Sequence, residues 1–320
     1  MTSASIPDIE TGAATDAGRK RRGEPNQDAI LVLPAENGRP PLFIVADGMG
    51  GHAGGALASK LVVETIVEHY CQAGNYRDLT VLLGDCLQRA HRALADRAAG
   101  QPEYSSMGST AVLAVLQGGQ VFIANVGDSR AYLIRDRQAD SDAPTLVRQS
   151  IKPRPIFFSV RARLRRILGG QQSRREKNKT VPEVDLAMQQ LSYDHSVVAD
   201  QIRAGKLTPL QALRSPKRNR LTQSLTPRRK EINPFFRQAL FSTGDTLLLC
   251  SDGLWGVVSE AIMQAVALEL PPQEATEKLV ALTLASGAPD NVSVIVARWR
   301  GIERPVKADP ELDDTNPGLM

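Results

Sequence analysis

Four aspartates stand where an apolar run meets a glycine or an asparagine, and carboxylates so placed can hold a hard metal ion. Asp47 closes the run Phe43–Ala46 and precedes Gly48. Asp128 follows VFIANVG at 121–127, and Asp252 follows LLLCS at 247–251 with Gly253 next. Asp290 faces the other way, standing before Asn291 and the run Val292–Val296. Short apolar runs read as buried strands, so their ends can present carboxylates from distant parts of the chain to one cleft. Clustered carboxylates raise one another's pKa. A divalent cation such as Mg²⁺ or Mn²⁺, which favours oxygen ligands in octahedral geometry, relieves that penalty. A lone Asp-Gly is usually a turn or a helix cap; four in this arrangement predict a carboxylate metal site.

The elements that must position them follow from periodicity. Strand segments are expected at 30–33 (ILVL) and 42–45 (LFIV), joined by the turn-rich stretch 34–41. Leu57, Leu61, Val62, Ile66 and Tyr70 share one face of a helix. Leu79, Leu82, Leu83, Cys86, Leu87, Ala90 and Leu94 recur at three- and four-residue steps along a second. The run AVLAVLQGGQVFIANV at 111–126 reads as a hairpin turning at Gly118-Gly119, with AYLIRD extending its second strand. Short helices at 196–204 and 209–214, longer ones at 260–267 and 273–285, and a closing strand NVSVIVARW complete the order. Hairpins, paired helices and further strands argue for an α+β layering.

At 320 residues with 42% hydrophobic and only 4% aromatic content, the chain can bury a core packed mainly by Leu, Val, Ile and Ala. Cys71, Cys86 and Cys250 lack CxxC spacing and read as buried, reduced thiols, which suits a cytoplasmic location. Neither a membrane span nor a signal segment is apparent. The net charge of +4 is concentrated: residues 151–180 hold ten Lys or Arg against Glu176 alone, and the remainder is mildly acidic. The basicity thus belongs to an insertion. Without interleaved aromatics it gives no support to nucleic-acid binding.

With these residues in hand, NQDA at 26–29, DGMGG at 47–51, GST…NVGDSRAYLIRD at 108–136, LLLCSDGLW at 247–255 and GAPDNVSVIV at 287–296 resemble, in order, the signature of the metal-dependent type 2C (PPM) serine/threonine phosphatases, most of all the bacterial members. The resemblance implies a four-layer αββα sandwich of two antiparallel sheets flanked by helix pairs. It implies a phosphatase domain over 15–300, with the basic insertion at 150–183 and a flap at 192–225. A flexible N-terminus over 1–14 and a disordered acidic tail over 301–320 would flank it.

The same resemblance implies site roles. Asp47 would bridge two metals, with the Gly48 carbonyl completing the first. Asp252 and Asp290 would hold the second metal, and Asp128 a third, looser one shared with Asp252. Asp28 would hold metal-bound water, so that Asp28, Asp47 and Asp252 form the catalytic set. The reaction would be direct attack of a bridging hydroxide on phosphoserine or phosphothreonine, with two or three Mg²⁺ or Mn²⁺ ions. Substrates would be phosphoproteins of a Ser/Thr kinase pathway, and the enzyme a monomer. No GxSxG elbow or CxxxxxR loop supports a covalent nucleophile instead.

Three positions depart from the family pattern. The family usually places an arginine five residues before the Asp28 position, to bind phosphate; here that place is Gly23. Arg22 or Arg21 would serve instead, Arg22 being slightly preferred. Gln27 replaces a common glutamate. Met49 stands where eukaryotic relatives have a histidine proposed as general acid, and His52 need not substitute for it. None of His52, His69, His91 and His195 is assigned a catalytic role: they are expected at surface or helix positions, with His195 capping the flap helix. Arg130 is expected in a structural ion pair, Ser251 and Trp255 in packing. The insertion reads as a solvated loop or, with Phe157, Val160, Leu164, Ile167 and Leu168 on one helical face, as a helix docking on an anionic surface or a partner. The competing function is a phosphatase-fold scaffold or sensor with little turnover.

Overall fold

The structure, a computed structural model, describes residues 8–74, 78–135 and 187–301. The basic insertion, its docking-helix reading and the acidic tail beyond Gly301 lie outside these residues. One antiparallel sheet runs in the order β1 (Asp8–Asp16), β11 (Val292–Gly301), β10 (Thr246–Cys250), β7 (Arg130–Arg135), β8 (Ala187–Gln190). The other runs β2 (Asp28–Leu33), β3 (Leu42–Met49), β5 (Ala111–Gln117), β6 (Gln120–Val126), β9 (Phe235–Leu240), and the short β4 (Gly108–Ser109) pairs with the end of β3. The helices are α1 (His52–Gln72), α2 (Leu79–Ala98), α3 (Val197–Arg203), α4 (Pro209–Leu213), α5 (Asp252–Trp255), α6 (Glu260–Glu269) and α7 (Pro272–Ala285). Among the described residues, no helix is long and apolar enough to cross a membrane.

Strand alternation builds four layers. Along β3, Leu42, Ile44 and Ala46 face α1 and α2, while Phe43 and Val45 face the opposite sheet. Along β10, Leu248 and Cys250 face α6 and α7, while Leu247 and Leu249 meet Phe43, Val45 and Ile295 between the sheets. Covering both faces explains why these strands read as unbroken apolar runs. The αββα sandwich expected from the motifs is the architecture observed.

Several local expectations change. Asp8–Ala14, expected in a flexible terminus, pairs with β11. DIETGAATD has little strand propensity, and its register comes from the neighbouring strand. Arg130–Arg135 does not extend β6: the chain crosses at Gly127–Ser129 into the other sheet, where β7 pairs with β10. His91 and His195 are buried, only 3% and 5% exposed, and Cys71 is half-exposed while Cys86 and Cys250 are buried.

The inter-sheet core carries the strands whose ends form the cleft. Truncating Leu249 there leaves a cavity that packed neighbours cannot fill, so Leu249→Ala is expected to cost about 2–5 kcal/mol. Denaturant unfolding at constant m-value checks this.

Candidate metal centre

Asp28 opens β2 and Asp47 lies near the end of β3, and the antiparallel register sets the two directly opposite each other. Like charges so placed repel. Asp252 begins α5, just past the end of β10, close enough to Asp47 for the two carboxyls to repel. Burial and the surrounding aspartates push Asp28, Asp47, Asp128 and Asp252 upward. Burial first, with Asp252 and Asp290 adding to it, takes Asp28 to about 7. Burial and then Asp252 take Asp128 to about 8. Burial and Asp290 take Asp252 to about 6. Asp47 is raised well above the ordinary carboxylate range by burial, then by Asp28, Asp252, Asp128 and Asp290. The five predicted aspartates therefore share one electrostatic neighbourhood at one end of the sandwich.

Their supports come from all around the sandwich. Ser251 Oγ donates to Asp28 Oδ2 at 2.7 Å across the sheets and accepts from Ser293 N at 3.1 Å. Asn291 Oδ1 accepts from Gln27 N, and Asn291 Nδ2 donates to the Ala17 carbonyl. Thr110 brackets Asp47, accepting from its N–H at 3.0 Å and donating its own N–H to its carbonyl at 2.8 Å. Two glycines are needed for close approach. A Cβ on Gly253 would fall 1.8 Å from the Asn291 carbonyl oxygen, and one on Gly48 would fall 2.1 Å from that of Gly55.

Arg21, not Arg22, reaches the carboxylates. Its Nη2 lies 2.9 Å from Asp290 Oδ1, while Arg22 is exposed. Oriented so that both ends of its amide are satisfied, Gln27 accepts from Arg21 Nη1 and donates to the Gly48 carbonyl, each at 3.1 Å. The preference for Arg22 came from counting back along the chain, whereas the turn at 20–23 decides which side chain faces inward.

A second set of contacts ties the flap to Asp128. Arg130 grips Asp194, with Nη2 2.6 Å from Oδ2, and lies 3.7 Å over the Trp255 ring. Trp255 Nε1 in turn donates to the Asp128 carbonyl at 3.0 Å. The expected Arg130 ion pair is present, and Trp255 does more than pack. His195 does not cap the flap helix; Ser196 does, accepting from Ala199 N. Instead His195 Nδ1 accepts from Gly127 N at 3.2 Å. Burial lowers the pKa of this imidazole and so favours the neutral ring that can accept. Ser251, Asn291 and Asp194 were legible only as motif neighbours; nothing in their spacing announced these bonds.

Among the described residues no three His, Cys, Asp or Glu are grouped as a ready ligand set. The donors nonetheless suit hard divalent ions. They are all oxygen, and one of them, Asp28 Oδ1, is buried without a hydrogen-bond partner.

Carboxyls whose pKa is raised by folding hold protons that the unfolded chain has released. Without metal, the stability of the protein should therefore fall as pH rises from the ordinary 3.8 through about 8. A metal chelated by the ionised forms should reverse this. Thermal unfolding after EDTA is expected to show a Tm that declines from pH 5 to 8, and Mn²⁺ should raise Tm more at pH 8 than at pH 5. A Tm indifferent to Mn²⁺ at both pH values would contradict the assignment.

Known proteins resemble this chain in sequence and in fold. The family model described as Protein phosphatase 2C matches residues 16–145. The chain is 28% identical over 287 residues to the serine/threonine phosphatase stp of Listeria innocua, covering 88% of this chain and 92% of that one. It is 29% identical to the serine/threonine protein phosphatase PstP of Mycobacterium tuberculosis, over 90% of this chain but 45% of that longer protein. A PstP catalytic domain solved with two manganese ions superposes with a TM-score of 0.66 at 25% identity, covering 91% of this chain and 97% of that one. Stp1 of Staphylococcus aureus superposes at 0.71, also at 25% identity, covering 94% and 99%. The sandwich, the ordered motifs and these likenesses together support a bacterial-type member of the PPM, or type 2C, family of metal-dependent serine/threonine protein phosphatases.

Proposed function

We propose that this cleft hydrolyses phosphoserine and phosphothreonine in protein substrates, with divalent ions held by Asp47, the Gly48 carbonyl, Asp252 and Asp290, and a looser ion near Asp128. The observation that carries this reading is the direct opposition of Asp28 and Asp47, with Asp252 near enough to repel both and all three acid constants raised. When bound, such ions lower the pKa of water and neutralise charge on phosphoryl oxygens.

The chain's own residues then orient the reaction. Ser251 occupies Asp28 Oδ2 and leaves Oδ1 to accept a hydrogen bond from water and so align it. Arg21, held beside the carboxylates through Asp290 and Gln27, presents guanidinium N–H groups to phosphoryl oxygens. Met49 pairs with Gly108 at the cleft's edge and has no proton to give. A proton for the departing serine or threonine oxygen must therefore come from water or from a raised carboxyl.

Two substitutions test this. Asp47→Asn keeps the shape and removes the charge, so Mn²⁺-dependent kcat on a phosphothreonine peptide should fall by at least about a hundredfold. Full activity of that variant, or activity indifferent to EDTA, would refute the assignment. Arg21→Ala is expected to raise KM for the peptide about tenfold or more, as loss of a charge-assisted hydrogen bond does. Arg22→Ala should change it by less than about twofold. The reverse order would return the phosphate-binding role to Arg22.

A further inference from the structure

The flap carries a second basic run that net charge conceals. Residues 214–230 contain seven Lys or Arg and no Asp or Glu, although the chain outside the insertion is acidic on balance. Arg214, Lys217, Arg218 and Arg220 are all exposed. None of the four forms an ion pair among the described residues, whereas the exposed Arg203, Arg300 and Lys60 meet Asp200, Glu10 and Glu64. Cations this close repel one another, and a polyanion would relieve them.

The run is sewn to the rim of the cleft. Val197 N donates to the Arg220 carbonyl and Thr222 N to the His195 carbonyl, next to the Gly127 contact that leads to Asp128. Farther on, Ser109 and Leu225 exchange both backbone hydrogen bonds, and Ser109 pairs with Gly48. The stretch therefore abuts β4 beside Gly48 at Leu225, and at Arg220–Thr222 joins the part of the flap whose His195 contacts Gly127.

Resting on the phosphatase reading, we propose that this surface selects phosphopeptides whose scissile residue is flanked by further negative charge, either acidic side chains or a second phosphate. The flanking charges would lie along Arg214, Lys217 and Arg220 while the scissile phosphate enters the cleft. A nucleic acid fits less well. The stretch 214–230 has no aromatic side chain to stack a base, and a continuous phosphate backbone would run past the carboxylates.

The test uses the full chain with Mn²⁺ and three phosphothreonine peptides, flanked by Glu, by phosphoserine or by Ala. At about 20 mM salt, kcat/KM should be about tenfold higher for the charged peptides, mainly through KM, and the gap should close near 0.5 M. The Glu and phosphoserine arms show which source of charge is preferred. In Arg214→Ser/Lys217→Ser/Arg220→Ser the preference should collapse at low salt while Tm and Mn²⁺ stoichiometry are retained. This separates the flap from the basic insertion. Equal kcat/KM for all three peptides, a preference that survives the triple substitution, or tighter binding of a single-stranded oligonucleotide than of the Glu peptide would overturn the proposal. If no peptide is hydrolysed, the phosphatase reading fails instead. Fluorescence anisotropy of the same peptides, with wild type against the triple variant, still decides the surface.

Discussion

The concentration of carboxylates at one end of the sandwich is the constraint that the other features serve. Asp28 and Asp47 are held opposite each other by antiparallel register, and Asp252 approaches from the other sheet. In water such groups would separate; here they cannot, because each is attached to a strand packed on both faces. The closed core between the sheets thus imposes the repulsion that raises the acid constants. It also makes the end of the fold a receptor for cations.

A shell of neutral donors and acceptors keeps that arrangement from collapsing. Ser251 spans the sheets to Asp28, Thr110 fixes Asp47, and Asn291 links Gln27 to the loop at Ala17. Because these partners are uncharged, they orient the carboxylates without cancelling their charge. The one described cation in contact, Arg21, engages Asp290, the half-exposed member.

The flap joins this centre through a network with its own logic. Arg130 is clamped between Asp194 and the Trp255 ring, and Trp255 reaches the carbonyl of Asp128. The root of the flap, the loop bearing Asp128 and the helix bearing Asp252 are therefore joined by direct contacts. Around an acidic cleft this places a basic rim, a pairing of opposite fields that suits a substrate whose one phosphate must reach metal while its flanks stay outside.

Much of this was legible in the residues themselves. Runs such as Phe43–Ala46, Leu247–Cys250 and Val292–Val296 announce buried strands because periodicity is a local property, and α2 follows its apolar spacing from Leu79 to Leu94. The ordered motifs likewise pointed to the family and its layers. Tertiary structure alone decided the rest. The pairing of Asp8–Asp16 depends on a partner strand nearly the whole chain away, and the crossing at Gly127–Ser129 shows only in the pairing of β7 with β10 and β8. Whether Arg21 or Arg22 faces the cleft is a matter of one turn's geometry, and His195 is an acceptor because Gly127 lies against it. Residue types and spacing determine which elements form and what chemistry they can carry. Register, burial and the facing of single side chains are set by contacts between residues distant in sequence, and those exist only once the chain has folded.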